Sequence, residues 1–211
     1  MIHSEIPTIA IQRHDRAHQG LLLEPISEAA MASLLPVDDA IRQTIPYEIQ
    51  GVFDSVESLC AEFEYAHTSV MGMRVGSLLV GFNTMTATDA GPEVTHYITR
   101  PEARGKGYGT LAKLALADFA FGQRNEPAIV ARSLASNRAS NSSLRKTGFL
   151  MVGSDAQPVV MDSAGNEDIV LSWRLDNPSR YTPDALAVSD DPAIAACRTY
   201  LAQRASVDII Y

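Results

Sequence analysis

The residues best suited to chemistry lie in one glycine-rich stretch, 101–110, which reads PEARGKGYGT. It joins a strand-like run to a long apolar helix that begins near Tyr108. Its glycines stand at alternate positions and remove side chains that would keep a ligand away from the backbone. The N–H groups can converge on an anion at the positive end of the helix, beside Arg104 and Lys106. The stretch therefore predicts a pyrophosphate-binding loop.

The spacing of the glycines decides between kinds of anion loop. A Walker A loop needs Ser or Thr after Gly-Lys, but Lys106 is followed by Gly107. A dinucleotide fingerprint needs G-x-G-x-x-G and an acidic residue about twenty positions later, and no carboxylate lies around Ile129. The spacing that fits is R-x-x-G-x-G, at Arg104, Gly107 and Gly109. A glycine-rich loop that merely leads into a helix is the structural alternative.

A second unusual stretch is the helix expected at 136–146. Asn and Ser dominate it, although both residue types favour caps and turns over helix interiors. Local propensity that yields to another demand is typical of a functional segment. The stretch contains N-x-x-S-x-x-x-x-x-K-x-G-F, which begins at Asn137 and ends at Phe149.

Together the two motifs resemble the coenzyme A site of the GNAT superfamily of N-acetyltransferases. They are most similar to the Rim-type branch, which acetylates ribosomal-protein N-termini. The run Glu93–Thr99 also resembles the fourth strand of the family, with Thr99 where a valine is usual. The resemblance covers residues 68–173 and implies an α/β GNAT fold. That fold is a mixed, splayed β-sheet flanked by helices, whose fourth and fifth strands part to admit the pantetheine arm of acetyl-CoA.

The resemblance also implies which residues hold acetyl-CoA, the expected cosubstrate. The backbone of the fourth strand would pair with the pantetheine arm, the N–H groups of the loop would bind the pyrophosphate, and an asparagine would contact pantetheine from the opposite side. The residues concerned are Ile98, Thr99, Arg104, Gly105, Lys106, Gly107, Tyr108, Gly109, Thr110 and Asn137. The purely structural alternative for Asn137 is a helix N-cap, and both roles can coexist.

The reaction that the resemblance implies is direct acetyl transfer from the thioester to an amine, so a base must accept a proton from that amine. Glu93 is the candidate base; its alternative is a strand-end surface charge. His96 has a suitable pKa but lies on the opposite face of the strand, where a structural role is favoured. Many relatives carry a tyrosine acid where this chain has Leu144. Ser140 is then the side chain expected near the sulfur, although a hydroxyl is a poor acid.

Two functions fit these motifs. The first is an N-acetyltransferase that acts on a small-molecule amine or a protein N-terminus. The second is a catalytically degenerate domain that binds acyl-CoA as a sensor or partner. A purely structural protein would have no use for the Asn/Ser-rich helix.

Composition narrows the partners of the chain. A net charge of −8 and a pI of about 5.0 disfavour nucleic acid and suit a cationic amine. Cys60 and Cys197 form no metal or disulfide pattern, and Cys60 is expected in a core. The histidines near the N-terminus match no standard set of metal ligands, so we expect no metal. With neither an apolar signal core nor a membrane-spanning run, we expect no membrane partner and a cytoplasmic location.

The chain divides, by prediction, into a GNAT domain (1–175, with its motif-bearing core at 68–173) and an arm (176–211). No element is predicted in 1–19. The other elements expected are a strand at 21–23, helices begun by Ser27, Asp38 and Asp54, a strand pair at 68–74 and 77–87, a brief strand at 128–131, and a hairpin of 159–161 with 168–173.

The arm is predicted to be a polar linker (176–191) followed by a helix and a strand. Asp191 and Pro192 begin the helix, and its apolar stripe is Ile194, Cys197 and Leu201. Such a short helix must pack on something, either its own domain or a second subunit. The long linker favours a homodimer.

Overall fold

The protein is described by a computed structural model that covers residues 6–15, 20–45, 47–154, 160–161 and 167–211. The strands are β1 (Ile9–Arg13), β2 (Leu21–Pro25), β3 (Thr68–Val75), β4 (Leu78–Thr86), β5 (Glu93–Tyr97), β6 (Ala128–Leu134), β7 (Leu150–Ser154), β8 (Val160–Met161), β9 (Glu167–Asp168), β10 (Val170–Asp176) and β11 (Val207–Ile210). The α-helices are α1 (Glu28–Ala32), α2 (Asp39–Arg42), α3 (Val56–Tyr65), α4 (Tyr108–Gly122), α5 (Arg138–Thr147), α6 (Pro183–Val188) and α7 (Pro192–Arg204). Single 3₁₀ segments lie at Tyr47–Asp54, Pro101–Ala103 and Pro178–Arg180.

Within these residues one sheet has the strand order β11-β1-β2-β3-β4-β5-β6-β10-β7. Its neighbouring strands are antiparallel except β5 and β6, which are parallel and share one register pair, Glu93 with Val130. The two strands therefore separate after their first residues. The predicted mixed, splayed sheet flanked by helices is confirmed.

The two faces of the sheet carry different helices. On one face α4, which is apolar almost all round, packs against β5, β6, α5 and α7. On the other face α1, α2, α3 and the 3₁₀ segment Tyr47–Asp54 cover a second core that contains Phe53 and Phe82. Residues that alternate along β5 thus point to two separate environments, which decides where each candidate side chain lies.

The first strand was missed by the sequence prediction. In β1, Ile9 and Ile11 are buried and pair with β2 on one side and β11 on the other. Their alternation with Ala10 and Gln12 is the signal of a strand, but five residues are too few to stand out. Of the N-terminal histidines, His3 and His18 lie outside the described residues.

The predicted hairpin of 159–161 with 168–173 is only partly right. The strands β8 and β9 do pair, and residues 162–166 between them lie outside the described residues. The strand β10, however, pairs with β6 and with β7, which was not predicted.

The start of α3 also differs from the prediction. Ser55, not Asp54, is the N-cap, and its hydroxyl accepts from the N–H of Ser58. Asp54 is instead bonded to Arg42 at 2.6 Å. Cys60 is only half-buried, and Leu59 supplies the buried contact of this helix.

The predicted polar linker is folded onto the sheet. Asn177 is buried: its backbone N–H donates to the carbonyl of Pro127 and its side chain to the carbonyl of Glu126, each at 3.0 Å. The helix α6 follows, α7 packs on α5 and β10, and β11 extends the sheet beside β1. The arm therefore docks on its own chain, so the argument from linker reach is wrong. A dimer remains a prediction without that support.

The apolar stripe of α7 is Ile194, Cys197 and Tyr200, whereas Leu201 is 41% exposed. The ring of Tyr200 packs edge-on against Phe121, with 5.6 Å between ring centroids. Tyr200 is thus one of the buried side chains that hold the arm on the domain.

We predict that Tyr200→Ala lowers the free energy of unfolding by about 3 kcal/mol, because it empties a packed aromatic site. The neighbouring Leu201→Ala is the control and should change it by about 0.5 kcal/mol or less. Chemical denaturation of both variants measures the difference. Equal effects would mean that this side of α7 does not hold the arm.

Candidate functional site

The site is built around the opening between β5 and β6. The N–H of Val130 donates to the carbonyl of Pro92 at 2.9 Å, and beyond this point β5 has no partner on its β6 side within the described residues. The chain stays beside β4 as far as Arg100, whose N–H donates to the carbonyl of Val80 at 3.2 Å, and then turns toward the start of α4. The opening is the place where the prediction puts the pantetheine arm.

The loop that follows β5 supplies a series of unpaired N–H groups. Gly105 and Gly107 have φ values of +71° and +86°, and the space beside both is open. Within the described part of the chain, the N–H groups from Gly105 to Gly109 have no hydrogen-bond acceptor. These groups surround the positive end of α4, an arrangement suited to an anion.

Thr110 does not extend this series, although it was predicted to. Its N–H donates to the carbonyl of Gly107 at 3.0 Å, as the helix begins to close its own hydrogen bonds. Its hydroxyl lies 3.0 Å from the hydroxyl of Ser143 on α5. Thr110 thus joins two helices at the inner end of the loop.

Arg104 holds the loop in place through its side chain. Its guanidinium donates to the carbonyls of Ile98 and Thr99 at 3.0 and 2.9 Å, and it pairs with Asp38 at the start of α2. A carbonyl oxygen can accept a second bond, so both carbonyls can still meet a ligand. Lys106, by contrast, is exposed and is the cation left available beside the N–H series.

The opposite wall is the first turn of α5. Asn137 is the N-cap, and its side-chain oxygen accepts from the N–H of Ser140 at 3.0 Å. The hydroxyl of Ser140 has no partner among the described residues. Both side chains are half-buried, so they can meet a ligand in the opening.

Part of the polar character of α5 is structural. The amide of Asn141 donates to the carbonyls of Leu134 and Ala135 and accepts from the hydroxyl of Ser133 at 2.6 Å. That hydroxyl also accepts from the indole N–H of Trp173. These bonds tie α5 to β6 and β10, so Asn141 is explained without a ligand.

Glu93 and His96 lie on opposite faces of β5, as predicted. Glu93 shares its face with Tyr97, whose ring packs on Phe53 at 5.0 Å between centroids. The Glu93 carboxylate is bound by the Nε of Arg132 at 3.0 and 3.1 Å. Glu93 is thus linked to Arg132 of β6 on the face of the sheet away from α4.

His96 faces α4 and meets a buried lysine that sequence reasoning did not select. Nζ of Lys113 lies 2.9 Å from Nδ1 and 3.1 Å from Nε2 of the imidazole, and it donates to Ser143 at 3.1 Å. Burial lowers the pKa of Lys113 to about 7. Burial, and then the neighbouring Lys113 charge, lower the pKa of His96 well below its usual value. The signal in the sequence was a lone cation inside an apolar helix.

The fold and this site define a protein whose strand–loop–helix junction, beside a split sheet, is suited to an anionic ligand. The model of the acetyltransferase (GNAT) domain family matches residues 21–150, more than half of the chain. The chain therefore belongs to the GNAT acetyltransferases, and the resemblance seen in the sequence is confirmed. A comparison with curated proteins gave no match.

Solved structures with the same fold include Rim-type acetyltransferases. RimJ of Mycobacterium smegmatis, in complex with CoA-disulfide, is 17% identical, with a TM-score of 0.64 over 93% of this chain and 95% of that one. RimL, a ribosomal L7/L12 alpha-N-protein acetyltransferase in complex with coenzyme A, is 14% identical, with a TM-score of 0.62 over 74% and 93%. The ribosomal-protein-S5-alanine acetyltransferase of Vibrio fischeri is 16% identical, with a TM-score of 0.61 over 77% and 96%.

The described residues contain neither a metal-binding cluster nor a membrane-spanning helix. No group of three or more His, Cys, Asp or Glu side chains is placed to hold a metal ion. None of the helices found there has the length and apolar character that crossing a membrane requires.

We predict that the stability of the protein depends on pH through Lys113. Its pKa is about 7 when folded and 10.5 when free, so between these values the unfolded chain holds a proton that the native state lacks. The free energy of unfolding therefore rises with pH, by at most about 1.4 kcal/mol per pH unit from this group. Lys113→Met should be more stable than wild type at pH 7 and below, and its advantage should shrink toward pH 10. Urea unfolding at several pH values checks this, and a constant difference would contradict it.

Proposed function

We propose that the protein is an acetyl-CoA-dependent N-acetyltransferase that acetylates a primary amine by direct attack in a ternary complex. The observation that carries the proposal is the series of unpaired N–H groups from Gly105 to Gly109 at the start of α4, beside the opening between β5 and β6. A pyrophosphate needs such a row of donors, and an extended arm needs such an opening.

The residues around the opening fit acetyl-CoA. The open space beside Gly105 and Gly107 lets phosphate oxygens approach the backbone, and the exposed Lys106 adds a positive charge. Asn137 and Ser140 face the arm from α5. The backbone of Ile98 and Thr99 would bind it on the other side, from the strand end that Arg104 fixes.

Acetyl-CoA supplies the activated acetyl group, and the chain must position the acceptor and move protons. Glu93 lies on the face of β5 opposite α4, so an acceptor that enters over this face meets its carboxylate. Arg132 holds that carboxylate in one orientation through Nε. In this proposal Glu93 accepts a proton from the amine, directly or through water. Ser140 contacts the sulfur.

A second candidate is a domain that binds acyl-CoA without turnover. Two observations favour it: Leu144, at the position of the expected tyrosine, is packed in the core, and the Glu93 carboxylate is engaged by Arg132. A thiol-release assay with a panel of amines separates the two candidates. Binding of acetyl-CoA with no thiol release from any amine would favour the sensor.

The acceptor is proposed to be a small-molecule amine or a peptide N-terminus, in the cytoplasm. The net charge of −8 favours a cationic acceptor, and RimL and the S5 enzyme, which share this fold, are ribosomal-protein acetyltransferases. Profiling of metabolites and peptides with labelled acetyl-CoA would identify the acceptor. Labelling of neither class would contradict the proposal.

We predict that Gly107→Val abolishes acetyl-CoA binding, because a branched side chain is strained at φ +86° and covers the N–H series. Gly107→Asn tests covering alone, since Asn tolerates this φ, and should weaken binding. Gly122→Val, at the other end of α4, is the control. Calorimetry on folded variants measures affinity; unchanged values for both substitutions at 107 would show that the loop does not bind the cosubstrate.

We predict that Glu93→Gln lowers turnover by about two orders of magnitude while the affinity for acetyl-CoA holds, as expected for loss of a general base. Arg132→Met keeps the carboxylate and should retain most of the turnover. Steady-state rates and calorimetry check both. Wild-type rates for Glu93→Gln would return Glu93 to the role of a surface charge.

A further inference from the structure

A polar cluster of one buried and three half-buried residues lies between α4, α5 and β5, and the proposed function does not use it. We call it the Lys113 cluster; its members are Lys113, His96, Ser143 and Thr110. Hydrogen-bond distances of 2.9–3.1 Å join them in a chain from His96 through Lys113 and Ser143 to Thr110. Thr110 is the first residue after the N–H series, so this row of hydrogen bonds reaches the end of the loop.

Lys113 has no counter-ion in this cluster. It is 3% exposed, and no carboxylate of the described residues lies within salt-bridge distance of its amine. A buried ammonium without a negative partner is costly, so burial alone lowers the pKa of this group. The site therefore accommodates the ammonium best when a negative charge arrives from outside the chain.

The contact with His96 does not supply a counter-ion for the ammonium. Nζ lies within 3.1 Å of both ring nitrogens. A neutral imidazole has a lone pair on one nitrogen and a proton on the other, and the two point in diverging directions in the ring plane. Nζ can therefore donate to the nitrogen that carries the lone pair, but it cannot also accept from the other. An uncharged imidazole offsets little of the cost of burial, so Lys113 holds its third proton weakly.

The cluster still has unused hydrogen-bonding capacity. Asn83 on β4 is in register with His96, so the two side chains share one face of the sheet. Asn83 is 1% exposed, yet no described residue pairs with its amide oxygen or its amide nitrogen. Buried polar groups are normally satisfied, so this amide indicates a partner from outside the chain, a water or a ligand.

The position of the cluster connects it to the sulfur of the cosubstrate. Lys113 lies one helical turn beyond Gly109, the last residue of the N–H series. It donates to Ser143, the residue before Leu144. The resemblance places a tyrosine acid at 144, and here that side chain is an apolar part of the core. The side chains of residues 143 and 144 point in different directions, but Lys113 brings a proton donor to the same turn of α5 from which the usual one is missing.

We propose that Lys113 is the acid that protonates the departing sulfur of acetyl-CoA, with His96 as the residue that positions its amine. This inference rests on the proposed function. As the C–N bond forms and the C–S bond breaks, the acceptor nitrogen gives up its proton to base or water. The thiolate takes one proton from the Lys113 ammonium, and the resulting amine is reprotonated from solvent.

The groups that face Lys113 set how its proton responds to pH. They are His96 from β5 and Ser143 from α5, with Asn83 behind His96 on β4. On α4 itself the nearest carboxylate is Asp118, which is bonded to Arg204 of α7. A thiolate is thus the negative charge to which Lys113 can respond.

The chain has three lysines, Lys106, Lys113 and Lys146, so NMR of protein with isotope-labelled lysine follows each amine separately. Lys113→Met assigns the signal of Lys113. We expect its pKa to rise by about one unit or more when coenzyme A binds, because a thiolate favours the ammonium. Desulfo-coenzyme A has the same arm without the sulfur, so the pKa of Lys113 should be lower in its complex than in the complex with coenzyme A.

The ionisation of the coenzyme A sulfur can be measured independently from the absorbance of its thiolate. The thiol of bound coenzyme A should ionise about one pH unit or more lower in the wild type than in Lys113→Met. Arg124→Met, which removes an exposed cation just past the end of α4, is the matched control and should behave as wild type. In turnover, Lys113→Met should lower kcat about 100-fold with little change in KM for acetyl-CoA.

Each outcome bears on the inference. An equal pKa of Lys113 with both ligands, or equal thiol ionisation in wild type and Lys113→Met, would overturn it and leave cosubstrate binding intact. If neither ligand binds the folded wild type, the proposed function fails and this inference fails with it. Thermal unfolding verifies that each variant is folded.

Discussion

The separation of β5 from β6 is the constraint on which the rest of the site depends. Parallel strands that share one register pair leave the backbone of the following residues without a strand partner, and unpaired backbone groups must find other bonds. Arg104 supplies them at the carbonyls of Ile98 and Thr99, and Asp38 balances its charge. The opening thus leaves two carbonyls that Arg104 binds, and these bonds hold the loop that leads into α4.

Much of the fold could be predicted because its central elements carry strong local signals. The pair β3 and β4 alternates around a tight turn, and α4 is a long apolar run between glycines. The strand β1 could not be predicted in the same way. It is five residues long and is a strand because it pairs across nearly the whole chain with β11, the strand that was predicted at the end of the arm. The short helix α6 similarly depends on packing against α7.

The candidate site was predicted where backbone conformation dictates the residue and missed where burial does. Gly105 and Gly107 were found because a left-handed φ restricts the choice of residue. The Asn/Ser-rich composition of α5 was interpreted as the mark of a functional segment, although Asn141 is needed to tie the helix to β6. Lys113 was not selected from the sequence. A sequence shows that a lysine stands in an apolar helix, but not that the fold packs it against a histidine of β5.

The third glycine of the loop connects the two parts of the site. A side chain at 109 would place its Cβ 2.4 Å from Nε2 of His96, a distance that no packing allows. Gly109 therefore makes room for the imidazole, whereas Gly105 and Gly107 shape the loop. Since that imidazole contacts Lys113, even a methyl group at 109 would push it and disturb the amine. The glycine-rich loop, whose outer end is proposed to bind the anion, and the buried amine of Lys113 at its inner end are thus one structural unit. Gly109, a residue with no side chain, joins them.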